Sequence, residues 1–266
     1  MYDFDYQRPT SKEAAIEAHK ASDDGMFLAG GQTMIPVLKQ RLAMPSLVVD
    51  LGAIGDLAGI ERSGDTIQIG AMTTHAAVAA SDVVKDAIPA LAVLAGVIGD
   101  PHVRNRGTIG GSVVNNDPAA DYPAGLLGLG ATVVTDRRQI AADDFFLGMF
   151  ETALEEGELV TRIDFPVPEK AGYLKFENPA SGYAIVGVMA STGPAGTRVA
   201  VTGAGPGVFR VEAMEQVLSQ SFTADALDGI TVPADGLNND IHAAADYRAH
   251  LIGVIARRAV EAATGA

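Results

Sequence analysis

The sequence predicts an α+β protein, and two observations support this prediction. Segments with apolar residues at helical spacing, such as residues 35–42, are interspersed with short apolar or alternating segments typical of strands, such as residues 47–51. In addition, two double-glycine segments, residues 29–33 and 108–112, stand where the chain should turn tightly between such elements. Helices and strands are therefore both expected, joined by at least two close backbone turns.

Residues 1–52 predict a small helix–strand–helix–strand unit. Thr10 is expected to cap an alanine-rich helix over residues 14–21. Residues 26–29 form a short apolar strand that enters the first double-glycine segment, and residues 47–51 form the second strand, which closes the unit.

Residues 53–168 predict a second unit, which completes a domain over residues 1–168. Strands are predicted over residues 66–70, 131–135 and 158–165, and helices over residues 74–80, 88–98 and 126–130, the last one ending at a glycine. The proline-flanked residues 166–170 are the expected boundary of a further domain over residues 169–266. Its strands are predicted over residues 173–176, 184–190 and 198–202, and its helices over residues 212–219 and 247–263.

Composition excludes several functional classes. A formal net charge of −14 argues against a nucleic-acid partner, because phosphate binding needs clustered Lys and Arg, and against an anionic membrane surface. No apolar run reaches the length of a membrane span, and the acidic N-terminus does not resemble a signal peptide, so a cytoplasmic location is expected. The chain has no cysteine, and its five histidines have no ligand-like spacing, so we expect neither a metal site nor an iron–sulfur cluster in it.

The two double-glycine segments predict an anion site built from backbone. The first consists of Ala29, Gly30, Gly31, Gln32 and Thr33, and the second of Thr108, Ile109, Gly110, Gly111 and Ser112. Glycine lets backbone N–H groups converge on an anion, because no Cβ blocks the approach. Neither segment has the Lys of a phosphate loop or the spacing of a dinucleotide turn. Two such segments about 80 residues apart suggest two cradles facing one pyrophosphate. The simpler alternative is a pair of sharp turns.

Other candidate residues each have two interpretations. Arg104 and Arg106 can reach a phosphate or a carboxylate, or can form a solvated surface pair, and His102 is more typical of a packed or surface histidine than of a catalyst.

Asp121 is a candidate for recognising a ribose hydroxyl, in a segment that can equally be a turn held by side chains. Lys175, in an apolar strand, faces either solvent or a ligand at a domain junction. Tyr183 either stacks on a planar ring or belongs to the core. No catalytic nucleophile or acid pair is evident, so any chemistry would belong to a bound cofactor.

In their order and spacing, these motifs resemble the FAD-binding medium subunits of molybdenum hydroxylases, in particular the carbon monoxide dehydrogenase and xanthine dehydrogenase type. The resemblance covers essentially the whole chain and includes residues 4–6, 29–33, 104–112, 117–123 and 179–184. It implies an α+β fold of the vanillyl-alcohol-oxidase (PCMH) type in two subdomains, about residues 1–52 and 53–168, followed by a small α+β C-terminal domain like that of carbon monoxide dehydrogenase flavoproteins.

The resemblance also implies a set of FAD contacts. Both double-glycine segments would hold the FAD pyrophosphate, and Asp121 would be the acidic contact. Val160 matches an apolar position beside the cofactor, Lys175 matches a lysine near the flavin end, and Tyr183 matches an aromatic position over the isoalloxazine. The basic residue usual after the Lys175 strand has no counterpart in residues 177–179, so the electron acceptor is not specified.

The implied function is that of an electron-transfer subunit. It would accept electrons from the iron–sulfur clusters of a small partner subunit, in a complex with a molybdopterin large subunit that forms a dimer of heterotrimers, and pass them to an external acceptor. The alternative is a stand-alone FAD-dependent oxidase or reductase of the same fold. The substrate of the complex (carbon monoxide, a purine, an aldehyde or an N-heterocycle) stays open, because its site would lie on another chain.

Overall fold

The computed structural model describes residues 1–265, and its first unit is a three-stranded parallel sheet flanked by helices. The elements are β1 (Asp5–Gln7), α1 (Lys12–Lys20), β2 (Met26–Leu28), α2 (Met34–Lys39) and β3 (Leu47–Asp50), followed by 3₁₀ turns at Leu51–Ala53 and Gly55–Leu57. The strand order is β1–β3–β2. A small core that includes Ala15, Val49 and Leu57 lies beneath this sheet.

Two details of this unit differ from the sequence prediction. The cap of α1 is Ser11 and not Thr10, because the Ser11 hydroxyl accepts the Ala14 amide at 3.2 Å, and the helix begins at Lys12, ahead of the predicted start at residue 14. Strand β1 was not predicted, since its three residues are all exposed and give no apolar signal.

The second unit is a five-stranded antiparallel sheet in the order β4–β5–β10–β6–β7, with helices packed against it. Its elements are β4 (Ile60–Ser63), β5 (Thr66–Gly70), α3 (His75–Ala80), α4 (Asp82–Ala87), α5 (Pro89–Gly96), α6 (Pro101–Arg104), α7 (Ile109–Asn115), α8 (Asp121–Leu129), β6 (Thr132–Thr135), β7 (Gln139–Ala141), α9 (Ala142–Phe145), β8 (Phe146–Gly148), β9 (Glu151–Thr152) and β10 (Val160–Pro166). The predicted caps are confirmed: the Thr74 hydroxyl accepts the Ala77 amide, and α8 ends at Gly130 with φ of 65°.

The third unit is a four-stranded antiparallel sheet in the order β11–β12–β13–β14. Its elements are β11 (Lys170–Glu177), β12 (Ala184–Thr192), β13 (Arg198–Thr202), β14 (Phe209–Arg210), α10 (Glu212–Gln220), a 3₁₀ turn at Ala224–Leu227 and α11 (Ala245–Thr264). Helix α11 packs against β11 and β12, and α8 of the second unit also packs against this sheet. The start of α8 therefore lies at the junction between the second and third units.

Among residues 1–265, no helix combines the length and the apolar character that crossing a bilayer requires.

Candidate functional site

The two double-glycine segments lie side by side. A Cβ on Gly30 would collide with the carbonyl of Arg106, and a Cβ on Gly111 would lie 3.4 Å from the Ala29 Cβ. Glycine is thus needed at position 30, where the first segment packs against the residue before Gly107, whereas the contact of position 111 with Ala29 is an ordinary one. The sequence prediction that these distant segments face one site is in accord with this geometry.

The segments border a cleft of about 530 Å³. Twelve of the predicted site residues line it: Ala29, Gly30, Gly31, Gln32, Thr33, Thr108, Gly110, Gly111, Ser112, Asp121, Val160 and Tyr183. The remaining two lie elsewhere. Ile109 is fully buried in the core of the second unit, and Lys175 lies behind Asp121.

The first segment offers unused backbone donors to the cleft. Gly31 has φ of 75°, a conformation that an L side chain strains to adopt. Within residues 1–265, the amides of Gly31, Gln32 and Thr33 donate to no other protein atom. The Gln32 side-chain amide is bonded weakly, at 3.3 Å, to the Gly30 carbonyl. Three consecutive N–H groups are therefore available to an anionic or polar ligand.

The sequence predicts a tight glycine loop with a backbone cradle at the second segment, but in the structure this segment is the first turn of α7. The Thr108 hydroxyl accepts the Gly111 amide at 3.1 Å, and the Thr108 carbonyl accepts the Ser112 amide at 3.0 Å. The amides of Ile109 and Gly110 donate to the carbonyls of Thr73 and Ala71, at 3.0 and 2.9 Å. All four donors are thus used internally. This segment contributes a wall without bulky side chains, rather than a second cradle of free amides.

Asp121, the first residue of α8, is held in a buried network. The Tyr173 hydroxyl donates to its Oδ1 at 2.5 Å, and Lys175 Nζ lies 3.1 Å from the same oxygen. The Asp121 and Lys175 side chains are each only 4% exposed. Burial raises the pKa of Asp121, while the ammonium of Lys175 and the hydroxyl of Tyr173 oppose that shift. The negative charge at this wall of the cleft is balanced inside the protein.

A second compensated carboxylate, Glu158, borders the cleft just before Val160. Hydrogen bonds from Arg138, together with the Glu155 amide and the Thr135 hydroxyl, lower the pKa of Glu158 to about 2. Val160 is buried at the start of β10 and presents an apolar surface beside this ion pair. Among the described residues that line the cleft, none is a lysine or arginine.

Tyr183 also lines the cleft, on the turn between β11 and β12. It is 48% exposed, and it follows Gly182, whose φ is 72°. Its backbone carbonyl accepts the Asn178 amide at 2.8 Å, which fixes the turn. Partial burial raises the pKa of the Tyr183 hydroxyl, and the nearby carboxylates of Asp117 and Asp121 add to the shift. A half-exposed aromatic ring at a cleft wall is suited to stacking on a planar group.

The basic segment before α7 is structural in part. Arg104 donates to the carbonyls of Ile98 and Gly99, at 3.0 and 2.8 Å, and so holds the loop that follows α5. His102 and Arg106 are exposed. Asp117 accepts the Ala119 amide at 2.9 Å, as the turn interpretation of that segment predicted.

Sequence reasoning missed His75, which lines the cleft where the two double-glycine segments meet. A Cβ on Gly107 would lie 2.6 Å from its Nε2, so the ring is packed against the backbone. Burial and, secondarily, the charge of Arg104 lower the pKa of His75 to about 4, so that it is neutral at pH 7. Its Nδ1 and the nearby Tyr122 hydroxyl are buried without a hydrogen-bond partner among residues 1–265. No sequence motif marks His75, because its place in the cleft comes from its burial against Gly107.

Comparison with known proteins identifies the family of this chain. Residues 2–168 match the family model described as the FAD binding domain in molybdopterin dehydrogenase. The chain is 36% identical to the nicotine 6-hydroxylase medium subunit of Paenarthrobacter nicotinovorans, over 96% of this chain and 95% of that protein. It is also 36% identical to the carbon monoxide dehydrogenase medium chain of Afipia carboxidovorans, over 98% and 96% of the two chains.

The fold comparison extends over the whole chain. The crystal structure of quinoline 2-oxidoreductase from Pseudomonas putida 86 contains a chain that superposes with a TM-score of 0.89 at 30% identity, covering 99% of this chain and 98% of that one. The predicted α+β fold of the vanillyl-alcohol-oxidase type is confirmed. The chain therefore belongs to the FAD-binding family of the molybdopterin dehydrogenases and is a flavoprotein of the molybdenum-containing oxidoreductases.

Proposed function

We propose that this chain is the FAD-binding electron-transfer subunit of a molybdenum hydroxylase, most like the carbon monoxide dehydrogenase medium chain. Bound FAD would supply the redox chemistry between the iron–sulfur clusters of a partner and an external acceptor. The protein's own part is to hold the cofactor, set its orientation and balance the charges around it.

The observation that carries this proposal is that both double-glycine segments border one cleft, the first with free backbone amides and the second with a wall of small residues. The free amides of Gly31, Gln32 and Thr33 match the acceptor oxygens of a pyrophosphate. Across from them, the first turn of α7 presents Gly111 and Ser112, which leave room for a phosphate to approach the backbone. The residues present therefore fit the cofactor that the family binds.

The other predicted contact residues have different roles in this proposal. Asp121 borders the cleft as an acceptor whose charge Lys175 balances, and Val160 supplies apolar surface. Tyr183 covers the flavin end with its half-exposed ring. Ile109 supports the wall from the core rather than from the cleft.

We further propose that the chain divides at residues 168–169 into an FAD-binding domain and a C-terminal domain. Residues 181–183 of the C-terminal part line the same cleft as the double-glycine segments, which supports a site completed by both domains. The core of the second unit also includes Tyr173 and Met189 from the third, so the two parts are expected to unfold together.

The partners proposed for this chain are an iron–sulfur small subunit and a molybdopterin large subunit, in a dimer of heterotrimers located in the cytoplasm. The absence of cysteine supports this arrangement, because a cysteine-ligated cluster requires another chain. The relatives named above are likewise called medium subunits or medium chains.

Copurification tests the partnership. The tagged chain, expressed with its neighbouring genes, should be isolated with two further subunits that contain molybdenum and iron. A chain that is purified alone, retains FAD and oxidises a substrate without partners would instead favour a stand-alone oxidase or reductase.

A further inference from the structure

Lys175 has no donor left for a ligand. Its ammonium group lies 2.7 Å from the Val97 carbonyl, 2.6 Å from the Gly182 carbonyl and 3.1 Å from Asp121 Oδ1. An ammonium group has three N–H donors, and here each one has an acceptor within the protein. With the side chain 4% exposed, a cofactor could bond to Lys175 only by displacing one of these partners.

Each of the three acceptors belongs to a different piece of the cleft wall. Val97 precedes Ile98 and Gly99, which line the cleft after α5. Gly182 precedes Tyr183, and Asp121 lines the cleft at the start of α8. No other contact among the described residues joins all three pieces at one atom.

The charge of Lys175 is essential to this arrangement. Two of its acceptors are backbone carbonyls of irregular segments, which would otherwise lack a protein donor near the junction. The third is a buried carboxylate whose negative charge needs a partner in a region of low polarity. Hydrogen bonds from a charged donor are stronger than neutral ones, so a single side chain can fix three segments.

On the basis of the proposed FAD site, we infer that Lys175 is a positioning residue: it fixes Tyr183, residues 98–99 and Asp121 relative to one another and acts on the cofactor only through them. This differs from the role expected from the family resemblance, in which the lysine itself lies near the flavin. The difference is testable, because a direct contact and a clamp respond differently to substitution.

Hydrogen–deuterium exchange of the full chain without added FAD tests the clamp. Lys175→Met should raise exchange about tenfold at Val97 and in residues 181–183, whose amides donate within the protein, while β13 stays protected; tenfold is the scale expected for loss of one charge-assisted hydrogen bond. Lys170→Met is the matched control, because Lys170 is exposed on the same strand, and it should change neither segment. Unchanged exchange in both segments, or a uniform rise over the whole chain, would overturn the inference.

A second variant guards against misfolding caused by an unpaired buried carboxylate. Lys175→Met combined with Asp121→Asn removes both charges, and it should still raise exchange at Val97 and in residues 181–183. If the double variant protects these segments as well as the wild-type chain does, the clamp is refuted.

A double-mutant cycle measures the consequence for FAD. Tyr183→Ala should weaken FAD binding about tenfold when Lys175 is present but less than about twofold in the Lys175→Met background, because Tyr183 is already displaced there. Additive losses would indicate that Lys175 contacts the cofactor independently. If the folded wild-type chain binds no FAD, either alone or in complex with its copurified partners, the proposed function fails, and the exchange data alone decide the role of Lys175.

Discussion

Replacing Gly110 by alanine should displace the wall of the cleft by a predictable distance. A Cβ there would lie 2.6 Å from the Ala71 Cβ and 2.7 Å from the Ala71 carbonyl oxygen, whereas ordinary contact begins near 3.4 Å. The first turn of α7 must therefore move by roughly 0.7 Å, which also stretches the 2.9 Å hydrogen bond from the Gly110 amide to Ala71. Both obstructing atoms belong to backbone or Cβ, so no side-chain rotation can relieve the clash.

The cost follows from these two effects. Overpacking and a weakened hydrogen bond together should lower the free energy of unfolding by about 2–3 kcal/mol. For a chain of this size, the melting temperature should fall by roughly 5–10 °C. Because Gly111 and Ser112 move with the turn, FAD affinity should fall at least about tenfold, or about 1.4 kcal/mol.

The assay is a fluorescence titration with FAD, combined with thermal unfolding of the apo chain. Gly55→Ala is the matched control: a Cβ at Gly55 meets no atom within 4 Å, and its φ is not positive. That control should change neither quantity. A Gly110→Ala chain with wild-type melting temperature and wild-type FAD affinity would refute the account of the close approach between α7 and residue 71.

Two residues of the site and one residue outside it, Asn116, allow three further predictions. The pKa of Glu158 is lowered from 4.5 to about 2, so its charge should contribute about 2 kcal/mol to the free energy of unfolding, fully present above pH 4.5 and lost as the pH falls toward 2. Urea unfolding at a series of pH values should show this loss, and the Glu158→Gln chain should not show it. The pKa of His75 is lowered from 6.5 to about 4, so protonation of this residue should lower the free energy of unfolding as the pH falls from 6.5 to 4. The His75→Gln chain should lack this part of the pH dependence. Asn116→Ala should lower the free energy of unfolding in urea by about 2–4 kcal/mol, because the side chain donates to the carbonyls of Gly148 and Glu151 and the residue has φ of 43°. Asn116→Gly should lower it less, because glycine adopts positive φ without strain, and equal losses would argue against backbone strain.

Much of the fold could be predicted from local signals. Three features have short-range causes that are visible in the sequence: the helix cap at Thr74, the glycine that ends α8 and the alternating pattern of β10. Strands β1 and β4 could not be predicted, because β1 is exposed throughout and β4 has no buried residue to create an apolar pattern. Strand β1 pairs with β3, which is distant in the chain, whereas β4 forms a hairpin with β5, the next strand.

The candidate site, too, could be predicted from the sequence only in part. Glycine pairs identified the segments that meet, but only the structure shows that the second segment uses its own amides and that the first does not. The role of Lys175 depends on three partners located 78, 54 and 7 residues away, a combination that no motif reveals. His75 was missed because its significance comes from burial against Gly107, not from a carboxylate nearby in sequence.

The most direct test of the central claim is the visible absorption spectrum of the purified full-length chain, recorded after incubation with FAD and removal of free cofactor. Binding at the cleft predicts retained flavin absorption at about one FAD per chain, lost in Gly110→Ala and kept in Gly55→Ala. A folded wild-type chain that retains no flavin, either alone or in complex with its copurified partners, would contradict the assignment of this cleft as an FAD site.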